Sequence, residues 1–409
     1  MMHETTFICR GCGEENLEMV LDLGIQPWGN HFIPISEGLN MPKYPLQFFV
    51  CKSCWLAQIG YTVPKEIMFV NHGYVSGTTQ SLREHFKEIA NDIVGKIDFR
   101  SDDYVLDIGG NDGTFLLEVK KHDVEVLNVD SGLLQAKRSE EAGVPCLNEF
   151  FNLKSAKSIL QDRGKARIVH GSGILFHLEE LHSVLDGIKS ILDDDGYLIA
   201  EFIYLPKMLE HCAYDQIYHE HLVYYTLHSF GRLLMKYGLK LVDAHIDSIH
   251  GGSCIAWITH VEADETQSVN LNELMKKEIL LQVDHMNIYL KFSERVKQLK
   301  DDLNNVIDQI RLEGKTIQAL GAPVKGSTIA NYCNLDSDRI DCAVEINELK
   351  VGSYIPGTSI PVKLQDTTAP PDVYLLLAWN FTEEIMLKLE NFRKLGGQVL
   401  IPIPAPVII

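Results

Sequence analysis

Between Tyr214 and Tyr225 the chain reads YDQIYHEHLVYY, so twelve residues hold two histidines, Glu220 and four tyrosines. Three kinds of chemistry fit that density. His219 and His221 can share a metal on a strand, where they fall on one face, although on a helix they point apart. One imidazole titrating near neutral pH can move a proton, with Glu220 or a tyrosine orienting it or stabilising an oxyanion. The ring nitrogens can also simply be satisfied within a polar loop. The concentration of groups favours the acid–base reading.

A second stretch, Tyr104 to Gly113, reads YVLDIGGNDG. An apolar run feeds Asp107, and then Gly109, Gly110 and Gly113 allow a bend that residues with a Cβ resist, which predicts strand, tight turn and helix. The next apolar run, Glu125 to Val129, ends on Asp130, about 20 residues past the turn, where an acid grips a ribose. The arrangement suits an adenosine moiety. A dinucleotide site wants G-x-G-x-x-G around a pyrophosphate, whereas this turn carries Asp107 and Asp112, which repel phosphates and suit a cationic sulfonium. S-adenosylmethionine is therefore preferred to NAD, the bland alternative being glycines needed only for packing.

Four of the nine cysteines form two pairs, Cys9/Cys12 and Cys51/Cys54. Two C-x-x-C knuckles present four thiolates to a structural zinc with no position left for water. Disulfides are the weaker reading for a chain that looks cytoplasmic. Near the end, Gly321 to Gly326 (GAPVKG) opens a helix with Lys325 beside it, and phosphate binding and plain helix-start chemistry fit equally well. Pro323 removes one donor. Tyr74 stands where it can close over the cofactor, or pack at a domain junction.

These groups need elements to hold them. The 409 residues exceed one ordinary core and suggest two or three domains. Hydrophobic residues make up 45% and charged residues 23%, an ordinary globular composition. With 37 basic and 56 acidic side chains the formal charge is −19, which argues against nucleic acid or an anionic membrane as partner. No apolar run approaches membrane-spanning length. Helix is expected from about Glu66 to Lys96, with Ser81 to Val94 amphipathic. Strand-like runs at Val144–Phe150, Arg167–Ser172, Tyr197–Ile203, Leu239–Asp247 and Ser253–His260 predict a mainly parallel sheet ending in a hairpin. Its carboxyl-end loops would bring Gly109–Gly113, Asp130, Gly171–His177 and Glu201–Tyr204 to one crevice, Ser172 and Tyr204 included. Long amphipathic helices follow, and a second small α/β unit starts at Lys315.

The series of paired cysteines, DIGGNDGTFL, FHLEEL, YDQIYHEHLVYY, HGGS, GAPVKGSTIANYC, KVGSYIPGTSIPV and AWNFTEEI resembles the zinc-containing sugar C-methyltransferases over almost the entire chain. The resemblance implies an α/β protein with a zinc-binding domain (1–72), a class I S-adenosylmethionine methyltransferase domain (73–263), a helical linker (264–313) and a Rossmann-like domain (314–409). It implies methyl transfer to a carbon, C3, beside the ketone of a nucleotide-linked 4-keto-deoxy sugar. His221 would be the base, with Tyr218 and Glu220 beside it and His177 near the keto oxygen. Asp107, Gly109 and Asn111 would line the methionine, Asp130 the ribose, and Ser172 and Tyr74 the cofactor more generally. Tyr204, Tyr224, Lys325 and Tyr332 would meet the sugar nucleotide. A monomer or weak homo-oligomer is expected. Transfer to oxygen or nitrogen of a related nucleotide-linked molecule, and a non-catalytic nucleotide-sugar-binding protein, are the alternatives. The family's turn usually carries serine where Gly110 stands. This chain also departs from it at His170–Gly173 and at Cys254–Ile255, near the expected sugar pocket.

Overall fold

A computed structural model describes residues 7–70 and 73–409. Tyr104–Ile108 is buried at all five positions, as an inner strand covered on both faces must be. It pairs in parallel with Glu125–Val129 on one side and Ala166–Ser172 on the other. The complete sheet runs Leu239–Asp247, Ser253–His260, Leu192–Ile203, Ala166–Ser172, Tyr104–Ile108, Glu125–Val129, Cys146–Leu147. Only Ser253–His260 is antiparallel to its neighbours, so the sheet ends in the expected hairpin. This strand order, with helices in the crossovers, is that of a class I methyltransferase fold.

Three expectations need adjustment. The strand read from Val144 to Phe150 is only Cys146–Leu147, because an edge strand finds a single partner, through Asn128 and Val129. The strand read from Tyr197 begins at Leu192, which pairs with Ala166 beyond a register shift. The helix read from Glu66 to Lys96 is interrupted: Lys65–Phe69 and Gln80–Lys96 flank a short turn at Ser76–Thr78, and Asn71 and His72 lie outside the described residues. Gln80–Lys96 buries Leu82, Phe86, Ile89, Ala90 and Ile93 at helical spacing.

The segment between the cysteine pairs forms the hairpin Leu17–Pro27 with Lys43–Cys51, followed by Ala57–Ile59. The fourth strand of that small sheet is Val223–Tyr224, contributed from the histidine-rich stretch 165 to 167 residues away, with Ala57 opposite Tyr224 and Gln58 opposite Val223. Tyr225, the next residue, bridges to Tyr204 at the end of the central strand Leu192–Ile203. The histidines are thus anchored to two sheets at once.

After the hairpin come the helices Val269–Leu281 and Met286–Leu312. The longer one buries Tyr289, Phe292, Val296, Leu299, Leu303, Ile307 and Ile310. These side chains share one core with Leu46 and Phe48 of the first hairpin and Ile317, Ala343 and Leu375 of the last sheet. At about 1.5–3 kcal/mol for each large apolar side chain removed from water, this helix braces the two outer units together. The last sheet runs Val362–Leu364, Cys342–Glu345, Ile317–Leu320, Val373–Leu376, Gln398–Ile401, Val407–Ile408, all parallel except the final pair. No helix among the described residues is long and apolar enough to cross a membrane.

Candidate active site

A cavity of about 660 Å³ opens where the three units meet. Its wall includes Trp28 and Asn30 from the cysteine-bearing unit, Gly109, Asn111, Asp130, His177 and His221 from the central one, and Lys325 and Lys350 from the last.

The glycine turn forms one part. Gly109 sits at φ 69° and Asn111 at φ 53°, so two left-handed residues fold the chain back on itself. Asn111 N–H donates to Asp130 Oδ2 at 2.9 Å and Gly132 N–H to Oδ1 at 2.8 Å, which fixes the carboxylate at the rim of the crevice. Burial pushes the Asp130 carboxyl up to about 6, against those two donors. Ser172 donates to Glu201 Oε2 at 2.5 Å, and His85 holds the same carboxylate at 3.1 Å; Ser172 and Glu201 both face the cavity. Burial alone would lower the His85 pKa, but Glu201 and Asp247 raise it. Tyr74 is half exposed at the cavity wall, where its carbonyl accepts from Gln135.

Asp107 lies elsewhere. It is not in the cavity wall but beneath the turn, 2.7 Å from His170 Nδ1, with Phe115 stacked on that ring. A Cβ on Gly110 would stand 2.5 Å from Asp107 Oδ2 and 2.6 Å from Asn128 Oδ1. The serine of the resembling family therefore collides with this Asp107–His170 arrangement, which gives Gly110 a local reason. Gly110→Ala should cost about 1–3 kcal/mol, read as a lower urea midpoint at unchanged slope.

The Asp130 carboxyl also has a pH signature. Because burial raises the folded-state pKa of Asp130 above its ordinary 3.8 to about 6, the stability this group contributes is complete below pH 4 and lost as pH rises through 6. A ribose diol held by Asp130, as expected from the sequence, would donate to the ionised carboxylate, so binding would run the other way. S-adenosylmethionine affinity, measured by calorimetry from pH 5 to 8, should fall as pH drops through 6.

The histidine-rich stretch forms the second part. His221 is 3% exposed and its Nδ1–H donates to Gln216 O at 2.8 Å, which leaves the basic lone pair on Nε2. Tyr218 lies against it with ring centroids 3.8 Å apart, and the His177 ring is 5.0 Å away. His177 Nδ1–H donates to Glu220 O at 2.6 Å. The Glu220 carboxylate accepts from Trp28 Nε1 at 2.5 Å and Asn30 Nδ2 at 2.9 Å, so it ties the loop to the cysteine-bearing unit while the Gln216 carbonyl orients the His221 ring. Burial raises the Glu220 pKa against those donors and the field of Lys350. His219 does not pair with His221: its Nε2–H reaches Pro45 O at 3.3 Å, and burial lowers it to about 4. The shared-metal reading is thereby excluded.

Lys325 and Lys350 form the third part, beside Pro323, Val324 and Asn347. Lys350 donates to Ala322 O at 2.8 Å and lies over the Phe32 ring. The amides of Gly321 and Ala322 are turned inward to Val344 O and Glu345 Oε2, so the side chains offer positive charge where that end of the turn does not offer N–H groups.

Three expected substrate residues are placed elsewhere. Tyr204 donates to Glu278 Oε1 at 2.8 Å and Tyr224 to Gln216 O at 3.2 Å; both are buried and outside the cavity wall. Tyr332 lines a different cavity, of about 440 Å³, where Lys300 lies over its ring. Sequence reasoning missed Trp28, Asn30 and Lys350, and it brought Glu201 to the crevice only as the start of a loop. Lys350 opens the KVGSYIPGT motif, a signal within reach, whereas nothing local announces a contact spanning 190 residues.

The sulfur atoms of Cys9, Cys12, Cys51 and Cys54 lie within 4.8 Å of one another, and all four residues are free of disulfides. Sγ separations of 3.5 Å for Cys9–Cys54 and for Cys12–Cys51 approach the roughly 3.8 Å edge of a tetrahedral zinc–thiolate site. The donor set fits zinc and leaves no open coordination position.

A zinc-supported, glycine-turn methyltransferase fold with a third α/β unit over its crevice is what these observations define. Family models match in that order: a zinc-binding domain at residues 9–69, a methyltransferase domain at 81–244 and a C-methyltransferase C-terminal domain at 248–404. The C-methyltransferase NovU of Streptomyces niveus is 29% identical over 404 residues, 98% of this chain and 96% of the relative. Solved structures with some likeness include the magnesium protoporphyrin IX methyltransferase ChlM of Synechocystis (15% identity, 44% of this chain and 82% of that one, TM-score 0.33). Another is the 1,6-didemethyltoxoflavin-N1-methyltransferase of Burkholderia thailandensis (16% identity, 45% and 80%, TM-score 0.33). By these matches the chain is an S-adenosylmethionine-dependent C-methyltransferase with an N-terminal zinc-binding domain.

Proposed function

We propose that the enzyme methylates the carbon beside the ketone, C3, of a nucleotide-linked 4-keto-deoxy sugar. The single observation that supports this most is the meeting in one cavity of the Asp130 crevice, the His221–Tyr218 pair and the two lysines of the last unit. Asp130, Gly109, Asn111, Ser172 and Tyr74 would hold S-adenosylmethionine, which when bound supplies a methyl group on a positively charged sulfur. Lys325 and Lys350 would face the phosphates of the acceptor.

The neutral tautomer of His221 presents Nε2 as base, and a ketone makes the neighbouring C–H acidic enough for a near-neutral base to remove. The electron pair moves onto the carbonyl oxygen, and the resulting enolate carbon would take the methyl group as its bond to the sulfonium sulfur breaks, leaving neutral S-adenosylhomocysteine and restoring the ketone. The Tyr218 hydroxyl, which makes no hydrogen bond to protein among the described residues, would donate to that oxygen. His177 can donate there only when protonated, since its Nδ1–H already serves Glu220 O.

Incubation with methyl-labelled S-adenosylmethionine and a panel of nucleotide-linked keto sugars tests the substrate class. The label should appear bonded to a ring carbon adjacent to the ketone. Transfer only to oxygen or nitrogen, or to acceptors without a nucleotide, would contradict the proposal.

A further inference from the structure

Asp215 has no part in the proton transfer just described, yet it is fully buried in the same loop as His221. Its Oδ2 accepts from Trp379 Nε1 at 2.6 Å, while Oδ1 has no hydrogen-bond partner among the described residues. A carboxylate in that position requires a counter-charge. Lys325 is the cation whose field reaches it, and the Lys325 ammonium lies 5.5 Å from the centre of the Trp379 ring. Burial pushes Asp215 up and Lys325 down, and each charge opposes the other's shift. Lys325 also lines the cavity, whereas Asp215 and Trp379 do not. The carboxylate and indole therefore support the lysine from behind.

The same few residues carry the base. Gln216, next to Asp215, supplies the carbonyl that orients His221, and Ile217 O accepts from Thr328 Oγ1 at 3.2 Å, one turn along the helix that Lys325 opens. Lys325 and the histidine loop are thus joined through Trp379 and Thr328.

We propose that Asp215 is a positioning residue which, with Trp379, holds the Lys325 ammonium at the cavity wall for the diphosphate of the acceptor and locks the base-bearing loop to the same unit. This rests on the reading of the cavity as a nucleotide-sugar site. Binding of uridine and thymidine diphosphates, measured by calorimetry beside S-adenosylmethionine binding and thermal unfolding, tests it. Asp215→Asn and Lys325→Met should each weaken diphosphate binding roughly tenfold, the scale of one charge-assisted contact, and leave S-adenosylmethionine binding unchanged. The double variant should bind diphosphate no more weakly than Lys325→Met alone. Lys325→Met strands a buried carboxylate and should lower Tm, and adding Asp215→Asn should restore it, a reversal that a packing role would not produce. Trp379→Phe, which keeps the ring and removes the N–H, should also weaken diphosphate binding should Asp215→Asn fold poorly. Wild-type diphosphate affinity in Asp215→Asn, or losses that multiply in the double variant, would overturn the proposal alone. Failure of the wild-type protein to bind either diphosphate while it binds S-adenosylmethionine would overturn the substrate reading and this proposal with it.

Discussion

His221→Ala should lower the rate of methyl transfer by about 10²- to 10⁴-fold while S-adenosylmethionine still binds, the range a positioned general base contributes. The prediction follows from how narrowly the ring is held. Its Nδ1–H is fixed on Gln216 O, Phe176 meets it edge-on and Tyr218 covers it at 3.8 Å, so the ring is oriented with Nε2 as its basic nitrogen. The cofactor contacts proposed above, Asp130, Gly109, Asn111, Ser172 and Tyr74, come from other segments of the cavity wall. A loss confined to cofactor affinity, with turnover at saturation unchanged, would show that His221 has a different task. Tyr218→Phe should give a smaller loss in the same direction, since it removes a donor and keeps the stacked ring.

Removal of zinc should be nearly as damaging, for a reason remote from the chemistry. Structural zinc sites in small units contribute on the order of 10 kcal/mol to folding at neutral pH. Here the unit they support donates two side chains, Trp28 and Asn30, to Glu220, and pairs Ala57 and Gln58 with the strand that follows His221. Cys51→Ser, or prolonged chelation, should therefore lower the first thermal transition and abolish turnover together, and metal analysis of the intact protein should find one zinc per chain. Unchanged Tm and rate after verified metal loss would separate the cysteine cluster from the site.

Features encoded by local spacing were legible before any coordinates. The cysteine knuckles, the glycine turn with its distant acid, and the inner strands written as unbroken apolar runs each follow from a few consecutive residues. The direction of a side chain does not. His219 and His221 are two positions apart and identical in type, yet the turn closed by His221 N–H on Tyr218 O sends one ring into the cavity wall and the other towards Pro45. Asp107 sits in the glycine motif but answers to His170, a residue 63 positions away on the neighbouring strand. Tyr204 and Tyr224 read as binding residues from their surroundings, and their hydroxyls instead satisfy Glu278 and a backbone carbonyl inside the core. Lys350 and Asn30 reach the cavity only because the long helix Met286–Leu312 packs the outer units against each other. Such pairings across hundreds of residues are tertiary facts.

The most direct test is proton exchange in deuterated buffer, with a nucleotide-linked 4-keto-deoxy sugar and no methyl donor, followed by NMR at the carbon beside the ketone. The wild-type protein should wash in deuterium at that carbon, and His221→Ala should not do so above the rate of buffer alone. Exchange retained in the variant, or absent in an active wild-type enzyme given either S-adenosylhomocysteine or no donor analogue, would contradict formation of the enolate by His221.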